Sequence, residues 1–367
     1  MRNFMKRYLH TFFIPGNHNP DLAWNKLLFF GCLVVLCSCS RVSPTRIPST
    51  VPLLVEDVIV HRPLSERAQY VREGTIYHPS QITVGLVRPE ERYTPVAQLT
   101  QNGAFRIDES QPFNVDFVLR SGEDAIFLIT VLLDYQQIPF VLDGQRGLLH
   151  EIEIQAGKDL FIPVQVNVGG VGAHDLMFVV FRKPYQRPLE HDLRQDDWCL
   201  VNGKRTVVIV GDDDRAVQTL QPDVIGAPPP AGVDWGAFFL FANADGGHPA
   251  DGPAQMKMVQ QGRAGQAFPF RIWMSNLGNT NPRPVDYALV KFLNYHQVGF
   301  NGKHVLSVHL DEKQEVLFKD QVILPDRPGP NEVQVVYVAG PYRSLGEAKG
   351  DDVFVHGSGC LMIEGQK

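Results

Sequence analysis

The stretch Tyr135-Gln136-Gln137-Ile138-Pro139-Phe140 returns later in the chain as Tyr295-His296-Gln297-Val298-Gly299-Phe300. Both copies read tyrosine, polar, glutamine, β-branched apolar, turn residue, phenylalanine. The apolar runs around them recur in the same order. Phe268 to Met274 answers Phe113 to Leu119, Tyr287 to Tyr295 answers Phe127 to Tyr135, and Asn301-Gly302 answers Asp143-Gly144. Val308-His309-Leu310 answers Ile152-Glu153-Ile154, and Val335-Val336-Tyr337 before Pro341-Tyr342 answers Val179-Val180-Phe181 before Pro184-Tyr185 with one residue added. Cys199-Leu200-Val201 and Cys360-Leu361-Met362-Ile363 close the two copies. Order, turns and closing cysteine together predict one β-rich unit, duplicated.

Within each unit the runs are short, rich in Val, Ile and Phe, and separated by Gly, Pro, Asn and Asp, which is the pattern of an all-β sandwich. The first unit opens with Val51 to Val60, and strands are expected at Ile82 to Val87, Phe113 to Leu119, Ile126 to Leu133, Leu148 to Ile154, Leu160 to Val166 and Leu176 to Phe181. Asn102-Gly103, Asp143-Gly144 and Asn202-Gly203 read as tight turns, since both central positions of a type I′ turn want φ > 0. A single short helix is expected over Leu64–Gly74, with Ser65 as N-cap and Gly74 as stop. In Val333-Gln334-Val335-Val336-Tyr337 the odd positions are apolar, so Val333, Val335 and Tyr337 should face the core, and by alignment Met177, Val179 and Phe181 as well. The divide between units is placed at residue 203, giving 51–203 and 204–367. The second then opens with Thr206-Val207-Val208-Ile209-Val210 and carries a proline-stiffened loop over 226–232.

At 367 residues, 44% hydrophobic and 20% charged, the chain is long enough for two or three cored domains. Net charge is −6, and past residue 38 there are 30 basic against 39 acidic residues. That balance, with no Lys/Arg-rich stripe, argues against nucleic acid as a partner.

Near the start, Lys26 precedes the apolar run Leu27-Leu28-Phe29-Phe30-Gly31-Cys32-Leu33-Val34-Val35-Leu36, too short to span a bilayer of about 30 Å but suited to a signal-peptide core. It ends in Leu36-Cys37-Ser38-Cys39, which resembles the bacterial lipobox. Some 25 residues precede the apolar core, a longer leader than the family pattern has. The resemblance implies that residues 1–38 are a signal peptide and that Cys39 is cleaved on its amino side and lipid-modified. Residues 39–50, polar and proline-bearing, would be the lipidated tether. The chain thus resembles bacterial lipoproteins with tandem Ig-like domains: an all-β protein of two tandem Ig-like β-sandwiches from an internal duplication, behind a signal peptide and short tether. No disulfide–tryptophan pin lies within either unit.

Little of the sequence points to chemistry. Cys199 and Cys360 hold equivalent places; the pattern permits a disulfide and favours two free buried thiols. The acidic loops are Gly211-Asp212-Asp213-Asp214 and Asn243 to Gly252. Asn243, Asp245 and Asp251 are the weak calcium candidates there, as oxygen ligands on a glycine-turned loop. No zinc cluster, metal-spaced histidine pair, phosphate loop or dinucleotide fingerprint is present, and no cofactor is expected. His356-Gly357-Ser358-Gly359-Cys360 lacks the spacing of a nucleophile elbow. Trp235, Trp273 and Tyr93 are either core aromatics or a sugar-stacking platform.

The expectation is therefore a non-catalytic cell-envelope protein on the extracytoplasmic side. Its lipid anchors it to the membrane, and its tandem sandwiches present a structural surface to an envelope-protein or glycan partner. The alternative is an envelope hydrolase or hydrolase accessory whose carboxylate site is assembled from distant residues, with Glu109, Asp134, Glu151 and Asp175 as the acids a sandwich brings together.

Overall fold

The computed structural model describes residues 50–52, 55–73, 81–94, 104–188, 201–233, 238–251, 259–277, 284–342, 354–357 and 361–367. The expected signal peptide and Cys39 fall outside that set, as does all of the tether but Thr50. Among the described residues there is no α-helix; the elements are strands and short 3-10 turns. The chain is an all-β sandwich protein.

The first sandwich has an outer sheet built on Ile82–Val87, Phe113–Ser121 and Lys158–Val166, with Phe140–Leu142 and Gln145–Gly147 beyond. Its inner sheet runs Val58–Val60, Leu149–Ile154, Ala125–Leu133, Gly172–Arg182, Val201–Val210. Between the sheets lies a core that includes Phe117, Ile129, Phe140, Ile162, Phe178 and Val180. Phe117 stacks on Phe178 with ring centres 5.1 Å apart. The second sandwich repeats this, with Phe238–Phe241, Ala267–Ser275 and Glu315–Ile323 outside and Leu306–Leu310, Val285–Leu293 and Gly329–Ala339 inside. Its core includes Phe270, Ile272, Leu289, Phe300, Val333 and Val335.

The two inner sheets do not face water. A third core joins them back to back, with Leu128, Leu132, Met177, Val179 and Phe181 against Ala288, Val290, Phe292, Val336 and Val338. The short strand Phe354–Gly357 also pairs with both Val201–Val210 and Gly329–Ala339, so the hydrogen-bonded sheet is continuous from one half to the other. The result is four layers of sheet around three apolar cores. All eleven residues of Gly172–Arg182 are consequently buried, because both faces of that strand meet protein, as in the buried strands of α/β folds.

Several sequence expectations need correction. Leu133 pairs with Leu176 and Leu293 with Val333, so the copies align through this strand with no inserted residue. Val333 and Val335 do face their sandwich core, and Tyr337 packs against it. In the first copy it is Leu176, Phe178 and Val180 that do so, while Met177, Val179 and Phe181 point into the junction. A one-residue slip moves every side chain to the other face.

The expected helix over 64–74 is absent. Gln69–Glu73 is a strand paired with Lys158–Phe161, and Ser65 bonds through its backbone N–H and hydroxyl to Asp143. Asp143-Gly144 and Asn301-Gly302 are left-handed pairs, as expected of tight turns. Asn202-Gly203 instead lies within a strand, opposite Val180 and Val179. Asn102-Gly103 is outside the described residues. The divide expected at residue 203 falls inside the same strand, and Val208 and Val210 belong to the first core, not to the opening of a second unit.

Candidate functional site

The repeated signature forms a hairpin in each half. Ala125–Leu133 turns back through Asp134 and Tyr135 (φ 48° and 68°) into Gln136–Ile138. Val285–Leu293 turns through Asn294 and Tyr295 (φ 50° and 69°) into His296–Val298. Asp and Asn tolerate this left-handed geometry best among residues with a side chain; tyrosine does not, and its retention at the second turn position in both copies has a reason in packing. Both rings are buried in the junction core. Tyr295 lies 4.8 Å from the Phe181 ring. Its hydroxyl lies 2.7 Å from Pro184 O and 2.8 Å from Glu332 Oε2, two acceptors that share its one proton.

The glutamines of the two signatures bind each other reciprocally. Gln137 N–H donates to Gln297 Oε1 at 2.6 Å, and Gln297 N–H to Gln137 Oε1 at 2.8 Å. Each side-chain amide then donates to the opposite tyrosine carbonyl, Gln137 Nε2 to Tyr295 O at 3.1 Å and Gln297 Nε2 to Tyr135 O at 2.7 Å. This is the contact of a two-fold symmetric dimer interface, in which a residue meets its own counterpart, here made within one chain.

Comparison of the two copies separates scaffold from elaboration. In the second, Asn294 Nδ2 donates to Asn331 Oδ1 at 2.9 Å and Asn294 Oδ1 accepts from Glu332 N–H at 2.8 Å. In the first, the same places hold Asp134, His174 and Asp175. Asp134 Oδ1 accepts from Asp175 N–H at 3.0 Å and Oδ2 meets His174 Nδ1 at 2.7 Å. Burial opposes protonation of His174, but the hydrogen bond and charge of Asp134 outweigh it and hold its pKa above the ordinary value. Asp175 is fully buried and takes a two-oxygen ion pair from Arg205, also fully buried, at 2.8–3.0 Å. It further accepts from Tyr135 Oη and from Tyr342 N–H at 2.5 and 2.7 Å. Arg205 in turn donates to Ala339 O of the other half at 3.2 Å. Arg205 and His174 carry no mark in the sequence: Arg205 follows Lys204 ahead of the apolar run Val207–Val210, where a basic pair reads as a solvated strand end.

Of the four candidate acids, Asp134 and Asp175 are brought together, as partners in this hydrogen-bonded junction. Glu151 is buried beside Leu149 on the inner sheet, ion-paired with Arg62 at 2.6 Å and accepting from the Tyr185 hydroxyl; Glu109 is exposed near Gly211. The structure thus gives no cleft shared by all four.

The calcium candidates also end differently. The loop from Ala242 to Asp251 folds over the outer sheet of the second sandwich and covers Trp273, which is fully buried and donates to Glu315 Oε2 at 3.0 Å. His248 sits edge-on to that ring and bonds to Glu315 Oε1 at 2.8 Å. Asp245 is ion-paired with Lys319 at 2.5 Å, while Arg271 donates to Gly246 O and Gly247 O. A cavity of about 290 Å³ lies between Asp245, Arg271 and Lys319. Two cations thus flank Asp245, and Asp251 is exposed to solvent. Among the described residues no three His, Cys, Asp or Glu side chains are placed to share a metal. Trp273 is therefore core rather than platform, and Tyr93 is 72% exposed. Cys199, Cys360 and Trp235 lie outside the described residues, as do Ser358 and Gly359.

A second titratable cluster holds the first sandwich's edge. His61 Nε2 and His150 Nδ1 are 2.8 Å apart, both buried, with His150 against the Phe140 ring. Burial, then the neighbouring His61, lowers the His150 pKa from 6.5 to about 4. Burial also lowers that of His61, partly offset by Asp143. The unfolded chain therefore takes up a proton on His150 first as pH falls. The stability that depends on neutral His150 is complete above pH 6.5 and is lost as pH falls towards about 4. We expect this group to remove about 3 kcal/mol across that window, read as a falling urea midpoint that His150→Leu flattens.

These features define the class: an all-β protein of two tandem sandwiches joined by a buried core. No family model matches the chain and no curated protein sequence matches it. Among solved structures, it is similar to a red sea bream transglutaminase at 10% identity and a TM-score of 0.21, covering 78% of this chain and 31% of that one. It is likewise similar to Clostridium thermocellum CbhA fibronectin(III)-like modules, at 10% identity, a TM-score of 0.17, and coverage of 78% and 94%. The C-terminal domain of the Streptococcus pyogenes antigen I/II-family protein AspA gives 6%, 0.21, and coverage of 78% and 100%. The chain spans about a third of the transglutaminase. Superposition is poor in each case, so the sandwich assignment rests on the strand pairing and cores described above.

Proposed function

We propose that the chain is a lipid-anchored envelope protein, held at the membrane through Cys39, whose paired sandwiches present a non-catalytic surface to a protein or glycan partner on the extracytoplasmic side. The observation that carries this reading is the junction. Its half-buried glutamine pairing and buried Asp175–Arg205 bond engage two of the four candidate acids in holding two sandwiches together. Preset geometry lowers the ordering cost of binding an extended partner. The ends of the long sheet add to the case: Val58–Val60 and Val224–Ile225 are edge strands with Val60 48% and Ile225 67% exposed. Such edges accept an added strand unless they are blunted.

The test is membrane fractionation of wild type beside Cys39→Ala, followed by recovery of partners from detergent-solubilised membranes. Acyl mass on residue 39, release of the variant and co-recovery of a discrete envelope protein or retention on a glycan are expected. Equal behaviour of the two forms removes the anchor; recovery of the protein alone, with no glycan retained, removes the presenting role.

A further inference from the structure

Lys291 and Asp320 sit inside the second sandwich, one on each of its sheets. Their side chains are 1% and 3% exposed, and Nζ lies 2.5 Å from Oδ2. The same Nζ donates to Gln321 O at 2.8 Å, and the Phe300 and Phe270 rings stand 4.8 and 5.6 Å from it.

The first sandwich shows that the fold does not need this pair. Lys291 occupies the place of Val131, each pairing with the β-branched residue of its hairpin, Val298 and Ile138. Asp320 occupies the place of Val164, each opposite an inward residue of the neighbouring strand, Phe270 and Val115. Val131 and Val164 are ordinary members of the first core. Two charges have thus been placed where two valines suffice, and charge burial on that scale is often no more stable than the apolar pair it replaces.

We propose that Lys291 and Asp320 condense into an isopeptide bond, an amide from Lys291 Nζ to Asp320 Cγ that ties the two sheets of the second sandwich together. The step begins with transfer of one ammonium proton to Asp320 along the existing hydrogen bond, leaving an amine beside a carboxylic acid. Desolvation favours that uncharged pair and exposes the nitrogen lone pair, as in other buried nucleophilic lysines. The lone pair adds to Cγ, forming the C–N bond. The carboxyl C–OH bond then breaks, a proton passes from nitrogen to the departing oxygen, and one water leaves. Atoms and charge balance with no oxidant and no cofactor. Gln321 O fixes a second N–H and so the direction of the amine. The flanking rings keep out the water that would reverse the reaction. Held reactants of this kind react as if at effective concentrations of about 10⁵–10⁸ M.

Mass spectrometry of a digest of the full-length, denatured protein decides the matter. The expected result is a branched species carrying residues of Val285–Leu293 and Glu315–Ile323, one water lighter than the two peptides together. Asp320→Asn is expected to give a branched species of the same mass, with ammonia leaving instead, and Lys291→Met none. Recovery of the two wild-type peptides unlinked and at full mass overturns the proposal. That outcome does not depend on whether any variant folds.

Discussion

Asp175→Ala is expected to lower the unfolding free energy by about 3–5 kcal/mol, the range for breaking a buried ion pair by removal of one partner. The cost is high because Asp175 serves both halves. It neutralises Arg205, accepts from Tyr135 Oη, and accepts the Tyr342 backbone N–H that follows the last strand of the second inner sheet. Alanine leaves the Arg205 guanidinium without its carboxylate at a position with no solvent access. Removing both charges as Asp175→Leu with Arg205→Leu should cost clearly less than the sum of the single changes, which a double-mutant cycle in urea measures. An Asp175→Ala protein within about 1 kcal/mol of wild type would place the junction's stability elsewhere.

The second large effect is expected from Phe181→Ala. Phe181 is fully buried, 5.5 Å from Phe292 and 4.8 Å from Tyr295, and both rings belong to the other half. Truncating a buried phenylalanine costs about 3–5 kcal/mol where the surroundings cannot collapse. Here two twisted sheets fix the spacing on either side, so the cavity stays open. The loss should appear as an earlier single transition, with both halves destabilised together. A variant that instead releases one half at low denaturant while the other keeps its midpoint would mean that the junction is only a docking contact.

Much of the strand order was legible in the sequence, and for a physical reason. Ile82–Val87 and Phe113–Ser121 are β-branched or aromatic runs closed by turn residues, and such runs pay little to become pleated. What escaped was everything set by contacts between halves. Met177, Val179 and Phe181 are as apolar as Leu176, Phe178 and Val180, so alternation could not say which set faced which core. Only the pairing of Leu133 with Leu176 does. The helix expected over 64–74 rested on Ser65 as N-cap and Gly74 as stop, local signals that tertiary pairing can outweigh. Pairing of Gln69–Glu73 with Lys158–Phe161 overrode it. The same holds for Asn202-Gly203, drawn into a strand between Gly172–Arg182 and Phe354–Gly357.

The site was legible only as a repeated word. Tyr135 and Gln137, with Tyr295 and Gln297, were visible as recurrence, yet their reciprocal bonding is a property of two copies meeting face to face. Asp245 is a further case. Its glycine-turned loop is visible in the sequence, but the partners Lys319 and Arg271, distant in sequence, are placed beside that loop only by the fold.

The central claim is that the junction makes one cooperative body of two sandwiches. Scanning calorimetry of the wild-type protein tests it most directly, through the ratio of calorimetric to van't Hoff enthalpy. A single transition with a ratio of about one is the predicted result. Two resolved transitions, each carrying part of the enthalpy, would contradict it.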